Sequence, residues 1–324
     1  MKLRGIGVGS MMYGLGYGFA RPDFSTTDIE LAPDGTVTIW NGASELGQGL
    51  QTLLCQLVAE ELGIPYEDTF IITADTGRTP DAGPVSASRS TYVQGNSALK
   101  ACRDLKKPMA EQDQNEPSRS ISFTNLAGGM HQRGRRVRGS GYHSITTGDV
   151  DKETSQGDAY ATYAWASQLA EVEVDTETGQ VTVLRLASAT DAGKAINPKM
   201  VEGQIEGGAV QGLGFALMED MKIEQGEFKN AKLSTYLIPT AADVPMVEPL
   251  IVEVYDPTGP YGAKGVAEPA TIPTAPTIFN AIANALGQRV RFTPATPEKM
   301  LKLLGKLEEK EEQITIEDMP YPEP

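Results

Sequence analysis

The sequence predicts an α+β fold built from two related α/β halves, each a β-hairpin followed by a glycine-rich loop and a helix. Alternating side chains predict the first hairpin over 27–40, with its turn at 33–35. The same pattern predicts a second hairpin over 170–186, with its turn around 178–179. Because the order of elements recurs, we expect two similar halves with a site between them.

Apolar periodicity and capping residues predict the helix of each half. Leucine and valine side chains share one face over 49–62, which indicates an amphipathic helix. In the second half, Asn197 as the N-cap and Pro198 at the first helical position begin a predicted helix over 198–218. Two further helices are predicted, over 90–106 and over 276–286.

The order of these segments divides the chain into three regions. The first half is predicted over 1–160, including the N-terminal strand region, and the second over 161–300. Residues 301–324 are predicted as an acidic tail with a short helix at its start. The polar stretch 107–120 is expected to be a surface connection, and the basic stretch 133–138 a solvated loop or a subunit contact.

Composition excludes several classes of function. The chain has 324 residues, with 28 Lys and Arg against 43 Asp and Glu and a formal net charge of −15, which does not suit nucleic acid or an anionic membrane. The only cysteines are Cys55 and Cys102, and the only histidines are His131 and His143. These are too few for an iron–sulfur cluster with four thiolates. We expect two reduced, buried thiols in a cytoplasmic protein.

Two uncharged stretches resemble membrane or export signals. Residues 269–288 contain three prolines and two asparagines, which make a poor spanning helix. Residues 5–20 follow two basic residues, but six glycines weaken their apolar character. We therefore expect no membrane partner and a small-molecule substrate.

Two glycine- or hydroxyl-rich segments precede predicted helices in the first half. Gly47, Gln48 and Gly49 stand at the start of the first helix, where free backbone N–H groups and the helix dipole favour an anion. A tight turn and a capped helix are the structural alternative. The run 85–91, VSASRST, offers hydroxyl groups and backbone N–H groups to a phosphate or a polar heterocycle. A helix cap rich in Ser and Thr is the structural alternative.

Five glycines fall within the second predicted helix. They lie in 203–214, GQIEGGAVQGLG, and each costs about 1 kcal/mol relative to alanine in a helix. A close neighbour, either another helix or a bound cofactor, would explain them. Gln204 and Gln211 are seven residues apart and are predicted to share one face of this helix.

A single acidic residue lies in the glycine-rich segment 259–269, GPYGAKGVAEP. Glu268 precedes Pro269, which favours an extended conformation for Glu268. A glutamate in a loop is commonly solvated. To act as a base, Glu268 would need partial burial that raises its pKa towards neutrality.

In this order and spacing, the four segments resemble the xanthine dehydrogenase and aldehyde oxidase family of molybdenum hydroxylases. The resemblance runs through about 3–300 and corresponds to the C-terminal half of the family's molybdenum-binding subunit. It is carried by NGASELGQGLQT (41–52), GPVSASRSTYVQG (83–95), INPKMVEGQIEGGAVQGLG (196–214) and GAKGVAEP (262–269).

The resemblance implies a role for each matching position. Glu268 matches the catalytic glutamate, which in the family accepts a proton from the oxygen that attacks an electron-poor carbon of an aldehyde or N-heterocycle. Ser86 and Ala87 match small residues beside the metal. No side chain is expected to bind molybdenum, because the dithiolene sulfurs of the pterin hold it. The other residues implied at the cofactor are Gly47, Gln48, Gly49, Ser88, Ser90, Thr91, Gln204 and Ala267. The family usually has glycine where Ala267 stands.

The resemblance also implies partner subunits. No iron–sulfur or flavin segment is present, and Met1 opens the matching region, so we expect one subunit of a split hydroxylase. The medium molybdopterin subunit of nicotinate dehydrogenase has this organisation. The implied partners are a larger molybdopterin subunit, a [2Fe-2S] subunit and an FAD subunit, and the cytosine dinucleotide form of molybdopterin is left open. The implied substrate is a nicotinate- or xanthine-like N-heterocycle. An aldehyde- or carbon monoxide-oxidising enzyme and a non-catalytic assembly subunit are the alternatives.

Overall fold

Two four-stranded sheets form the framework of the protein in a computed structural model, which describes residues 1–113, 128–129, 131–132, 134 and 136–308. In the first sheet the strands lie in the order β4 (Thr69–Thr73), β3 (Val37–Asn41), β2 (Asp23–Leu31) and β5 (Val137–Ile145). In the second they lie in the order β1 (Lys2–Gly14), β6 (Tyr163–Asp175), β7 (Val181–Asp191) and β10 (Val247–Val252). A separate two-stranded hairpin, β8 (Ile223–Glu224) and β9 (Glu227–Phe228), stands outside both sheets. The mixed α+β architecture predicted from the sequence is confirmed.

The first sheet is built around the predicted hairpin. Strands β2 (Asp23–Leu31) and β3 (Val37–Asn41) are antiparallel. In their turn the Ala32 N–H donates to the Thr36 carbonyl oxygen at 2.8 Å, and the Gly35 N–H donates to the Ala32 carbonyl oxygen at 3.0 Å. Strand β4 (Thr69–Thr73) joins β3 in parallel, and β5 (Val137–Ile145) joins β2 in antiparallel orientation. The hairpin prediction for this half is confirmed.

The second sheet contains the other predicted hairpin. Strands β6 (Tyr163–Asp175) and β7 (Val181–Asp191) are antiparallel, with a register shift after Glu171. Strand β10 (Val247–Val252) pairs with β7 in parallel. Both hairpins therefore stand where alternation and turn residues predict them, and both sheets combine parallel with antiparallel pairing.

The N-terminal strand belongs to the sheet of the second half. Strand β1 (Lys2–Gly14) pairs with β6 along its whole length, from Lys2 opposite Asp175 to Gly14 opposite Tyr163. A Cβ atom at Gly7 or Gly9 would collide with the helix above it, so glycine allows the closest approach here. A strand from the predicted first half thus completes the sheet of the second half, and the division into 1–160 and 161–300 stays a prediction.

The observed helices lie where the sequence predicts them, but some of them begin or end at other residues than predicted. Helices α1 (Leu50–Leu62), α2 (Ser90–Asp113) and α3 (Pro198–Leu217) stand where they are predicted, and Asn197 caps α3 through the Met200 N–H. Helix α2 continues to Asp113, so the prediction of a connection from 107 is wrong there, and 114–127 lie outside the described residues. The remaining helices are α4 (Ala267–Thr271), α5 (Thr274–Leu286) and α6 (Pro297–Leu303).

Two terminal or charged segments are only partly described. Within 133–138, residues 133 and 135 lie outside the described residues. Val137 and Arg138 belong to β5, and Arg138 pairs with Glu30 at 2.8 Å, so the prediction of a loop is wrong for these two residues. Residues 309–324, most of the predicted acidic tail, lie outside the described residues. Among the described helices, none has the length and apolar character needed to cross a bilayer.

Each sheet has its own apolar core. The first core lies between the first sheet and helices α1 and α2, and it contains Cys55 and Cys102, which are both buried. Burial raises the pKa of the Cys102 thiol to about 12, which keeps it protonated. The second core lies between the second sheet and helices α3, α5 and α6. The two cores leave the candidate site in the space between the halves.

Candidate active site

A cavity of about 340 Å³ lies between elements of the two halves. Its walls come from the start of α1, the loop before α2, helix α3 and the segment that leads into α4. The predicted site residues that line it are Gln48, Gly49, Ser86, Ser88, Ser90, Thr91, Gln204, Ala267 and Glu268. Gly47 and Ala87 do not line it. A cavity thus brings most of the predicted site residues together, and their roles stay predictions.

The loop before α2 is held in an uncommon backbone conformation. Ala87 and Ser88 both have left-handed φ angles, near +52° and +50°, which cost energy in residues with side chains. The Gly16 N–H donates to the Ala87 carbonyl oxygen at 3.0 Å. On the other side, a Cβ atom at Gly265 would collide with the Ser88 carbonyl oxygen. Neighbouring segments thus fix the loop from both sides.

A buried ion pair supports the same loop from beneath. Arg89 is 1% exposed, and its Nε lies 2.5 Å from Asp23 Oδ1. Its guanidinium also donates to the carbonyl oxygens of Phe24 and Pro84, each at 2.5 Å. Asp23 in turn accepts from the Tyr17 N–H at 2.8 Å. Sequence reasoning missed this pair, although a lone arginine among small residues could have indicated it.

Glu268 contacts the loop directly. The Ser88 hydroxyl donates to Glu268 Oε2 and accepts from the Glu268 N–H at 3.0 Å. The expectation of an extended Glu268 is wrong, because Glu268 is the second residue of α4. Pro269 is compatible with this helix, because the first turn has no partner for the N–H that proline lacks. The helix turns the carboxylate towards the first half.

Two tyrosines, one at the end of β1 and one just after it, lie beside the candidate site. Burial, and next the negative charge of Glu268, raise the pKa of Tyr13 to about 12. The Tyr17 hydroxyl is hydrogen-bonded to the Ser86 hydroxyl. Tyr13 and Tyr17 were not among the predicted site residues, since only the pairing of β1 with the second sheet brings them here.

The glycine-rich segment at the start of α1 binds a carboxylate from its own chain. Glu45 accepts from the N–H groups of Gly47 and Gly49, each at 2.9 Å, and of Gln51 at 3.0 Å. Burial works to raise the pKa of Glu45, but these donors outweigh it and the net pKa lies below its ordinary value. The expectation that free N–H groups here await an anion is therefore wrong. Gln48 lines the cavity wall, and its amide is held by its own loop: the oxygen accepts from the Leu46 N–H at 2.6 Å and the nitrogen donates to the Ser44 carbonyl oxygen at 3.0 Å.

The glycines of α3 have two different surroundings. A Cβ atom at Gly208 would lie 2.7 Å from the Ala270 Cβ, so this glycine permits close packing against α4. At Gly203 a Cβ atom would meet nothing within 4 Å. The prediction that Gln204 and Gln211 share a face is confirmed, because both line a second cavity of about 710 Å³.

The two cavities meet at the glutamate. Gln204, Ala267 and Glu268 line both the cavity of about 340 Å³ and that of about 710 Å³. A carboxylate at such a junction can contact molecules held on either side.

Hydrogen bonds across the two halves anchor the segment that leads to Glu268. The Tyr92 hydroxyl on α2 donates to Thr258 Oγ1 at 2.6 Å, and the Tyr261 hydroxyl donates to Glu61 Oε2 at 2.6 Å. Closer to the cavity, Lys264 forms a buried ion pair with Asp191 at 2.7 Å. Sequence reasoning missed these anchors because their partners are far apart in the chain.

The donor set of the smaller cavity fits a cofactor that brings its own metal ligands. Its walls offer hydroxyl groups from Ser86, Ser88, Ser90 and Thr91 and amides from glutamines, which suit a pterin ring and a phosphate. Within the described part of the chain, no three His, Cys, Asp or Glu side chains are grouped to hold a metal ion. The hydroxyl and amide groups of the walls fit the polar atoms of a molybdopterin.

Comparison with known proteins agrees with this interpretation of the cavity. A sequence model of the molybdopterin cofactor-binding domain matches residues 1–245. The chain is 32% identical to a probable xanthine dehydrogenase subunit of Bacillus subtilis, over 94% of this chain and 42% of the relative. It is 33% identical to the gamma subunit of the 6-hydroxypseudooxynicotine dehydrogenase complex of Paenarthrobacter nicotinovorans, over 91% of this chain and 39% of the relative.

Solved structures show the same fold. The aldehyde oxidoreductase of Desulfovibrio desulfuricans superposes with a TM-score of 0.81 at 36% identity, over 93% of this chain and 32% of that one. A Cu,Mo-CO dehydrogenase superposes with a TM-score of 0.81 at 23% identity, which shows the fold alone. The chain spans about two fifths of the length of the two curated relatives. By sequence and by fold, the chain belongs to the molybdopterin cofactor-binding domain family that includes the molybdenum-binding subunits of xanthine dehydrogenases.

Proposed function

We propose that this chain is the molybdopterin-binding subunit of a molybdenum hydroxylase that hydroxylates an N-heterocycle with water as the oxygen source. The observation that carries the proposal is the position of Glu268. It lines both cavities, next to the loop at 85–91 whose Ser and Thr residues make it the hydroxyl-rich loop. The cofactor would occupy the smaller cavity, and a nicotinate- or xanthine-like substrate would reach Glu268 from the other side. The relatives named for xanthine dehydrogenase support this substrate class.

In this proposal Glu268 handles the proton of the reaction. Ser88 fixes the Oε2 atom by hydrogen bonding, which leaves Oε1 to accept a proton. When bound, the molybdenum cofactor supplies oxygen transfer and accepts two electrons. Gln48, Ser90 and Gln204 would hold the cofactor through its pterin and phosphate groups.

The proposal includes partner subunits. Two relatives of this chain are named as subunits, one of a xanthine dehydrogenase and one of a dehydrogenase complex, which indicates assembly with other chains in those proteins. We propose a larger molybdopterin subunit that completes the site, and [2Fe-2S] and FAD subunits that carry electrons away. The cytosine dinucleotide form of the cofactor and a cytoplasmic location also belong to this proposal.

Glu268→Gln tests the proposed base in the complex isolated from its native cells. General-base catalysis contributes about 10²- to 10⁴-fold, so turnover of the N-heterocycle should fall by that order while molybdenum content stays unchanged. Glu67→Gln is the matched control, because Glu67 is exposed and lies outside both cavities. Full turnover by the Glu268→Gln complex would leave the non-catalytic assembly role as the better interpretation.

An aldehyde is the second candidate substrate. The similarity to an aldehyde oxidoreductase at 36% identity favours it. A screen of the same complex with aldehydes and N-heterocycles separates the two, because Glu268 would be required for either. An Ala267→Gly variant in the same screen shows whether the alanine beside Glu268 limits activity.

A further inference from the structure

One polar side chain interrupts the apolar pattern on the buried face of β6. Successive side chains of this strand alternate between the two faces of the sheet. The other residues on the buried face are alanines and valines, namely Ala164, Ala166, Ala170, Val172 and Val174. Gln168 stands among them and is 1% exposed. Because a buried amide costs free energy unless it is hydrogen-bonded, this residue indicates a specific partner.

The partner of Gln168 is the backbone of α4. The Gln168 Nε2 donates to the Ala270 carbonyl oxygen at 2.8 Å and to the Ser188 hydroxyl oxygen at 3.0 Å. A carbonyl oxygen only accepts hydrogen bonds, so the amide nitrogen, and not the amide oxygen, must face Ala270. Ser188 lies directly opposite Gln168 in the register of β6 and β7, so it is placed to hold the amide in this orientation.

Helix α4 depends on partners outside itself. It has only five residues, and carbonyl groups in the last turn of a helix have no partner within that helix. Ala270 is fully buried, so its carbonyl oxygen needs a donor from the protein. Gln168 supplies this donor from the second sheet.

Two contacts on Ala270 fix α4 from different elements. The Ala270 Cβ atom packs against Gly208 of α3, and the Ala270 carbonyl oxygen accepts from Gln168 of β6. Glu268 lies two residues earlier on the same short helix. A change in the position of Ala270 is therefore passed to Glu268 through a single turn of backbone.

We propose that Gln168 is a positioning residue, which fixes α4 and through it the Glu268 carboxylate. This inference rests on the proposed function, because it concerns the rate at which Glu268 accepts a proton. Gln168 lines neither the cavity of about 340 Å³ nor that of about 710 Å³. Its effect on turnover therefore comes through the helix and not from contact with cofactor or substrate.

Gln168→Met tests the proposal in the complex isolated from its native cells. Methionine is unbranched and of similar length, so it retains the packing but loses the N–H donor. We expect kcat to fall by about tenfold or more with KM and molybdenum content unchanged, because a reacting group displaced by about 1 Å loses that much rate. Gln168→His restores an N–H donor and should recover part of kcat.

A shorter amide and a distant amide complete the set of variants. Gln168→Asn keeps the amide but is one methylene shorter, so it should also lower kcat, and it provides the same test if the methionine variant does not assemble. Asn230→Leu is the matched control. Asn230 is 8% exposed and its amide donates to the Asp220 carbonyl oxygen at 2.7 Å, but it lines neither cavity, so kcat should be unchanged.

A double variant separates positioning from a general loss of structure. If Gln168 acts through Glu268, adding Gln168→Met to Glu268→Gln lowers kcat no further, whereas a purely structural loss lowers it again by the same factor. An additive loss, a rise in KM in place of the fall in kcat, or an unchanged kcat in both Gln168→Met and Gln168→Asn overturns the proposal.

The same assays distinguish this inference from the proposed function. Full turnover by Glu268→Gln alone removes the proposed base, and the positioning role with it. A loss of turnover with Glu268→Gln but none with Gln168→Met leaves the proposed function standing and overturns only the role of Gln168.

Discussion

The spacing between α3 and α4 sets the position of the proposed base, and Gly208→Ala tests it. The added Cβ would lie 2.7 Å from the Ala270 Cβ, so α4 must withdraw by about 0.7 Å to restore an ordinary contact of 3.4 Å. Overpacking of this kind costs about 1–3 kcal/mol, and alanine returns about 1 kcal/mol of helix propensity. We expect a net loss of about 0–2 kcal/mol in the free energy of unfolding.

The same displacement moves Glu268, which lies two residues before Ala270 on α4. A shift approaching 1 Å in a reacting group lowers a rate by an order of magnitude or more, so turnover should fall by about tenfold to a hundredfold. Urea unfolding measures the stability, and steady-state assay of the native complex measures turnover.

Gly203→Ala is the control on the same helix. Because its Cβ meets nothing within 4 Å, it should raise the free energy of unfolding by about 1 kcal/mol and leave turnover unchanged. Equal effects of the two substitutions on stability and turnover would refute the reasoning, since contact with α4 would then decide neither.

Two further predictions concern buried groups beneath the hydroxyl-rich loop. Arg89→Met leaves Asp23 buried without its ion-pair partner, so the free energy of unfolding measured in urea should fall by about 3–5 kcal/mol. The Asp23→Leu/Arg89→Met double variant should recover part of this loss, because it removes the unpaired charge. A loss below about 1 kcal/mol in the single variant would contradict this prediction. Burial, and next the charge of Lys100, lower the pKa of His143 from 6.5 to about 4, so the folded state resists its protonation. Stability associated with His143 is therefore present above pH 6.5 and is lost as the pH falls from 6.5 to about 4, by about 1–2 kcal/mol after allowance for solvent screening. His143→Phe should flatten that part of the stability–pH curve, and an unchanged slope in acid unfolding experiments would exclude His143 as its source.

Local patterns in the sequence were sufficient for the main elements. The turn at 33–35 and the cap at Asn197 act through neighbouring residues, so both hairpins and the start of α3 are predicted without knowledge of the fold. The candidate site residues could be chosen for a similar reason. Runs of small and hydroxyl residues such as 85–91 can be recognised from composition alone. The family resemblance then connects such runs, which are far apart in the chain, to one site.

Other features depend on partners that are distant in the chain. The sequence predicts an N-terminal strand region, but only packing decides that β1 pairs with β6 and brings Tyr13 near Glu268. The helical pattern of the sequence also does not distinguish the glycines of α3. In the structure Gly208 packs against α4, whereas a Cβ atom at Gly203 would meet nothing within 4 Å. Sequence by itself determined the elements and the chemical types at the site, since these follow from local conformational preference. Tertiary structure decided which carboxylate caps α1, which arginine supports the loop and where Glu268 points, because each depends on groups that only folding brings within a few ångströms.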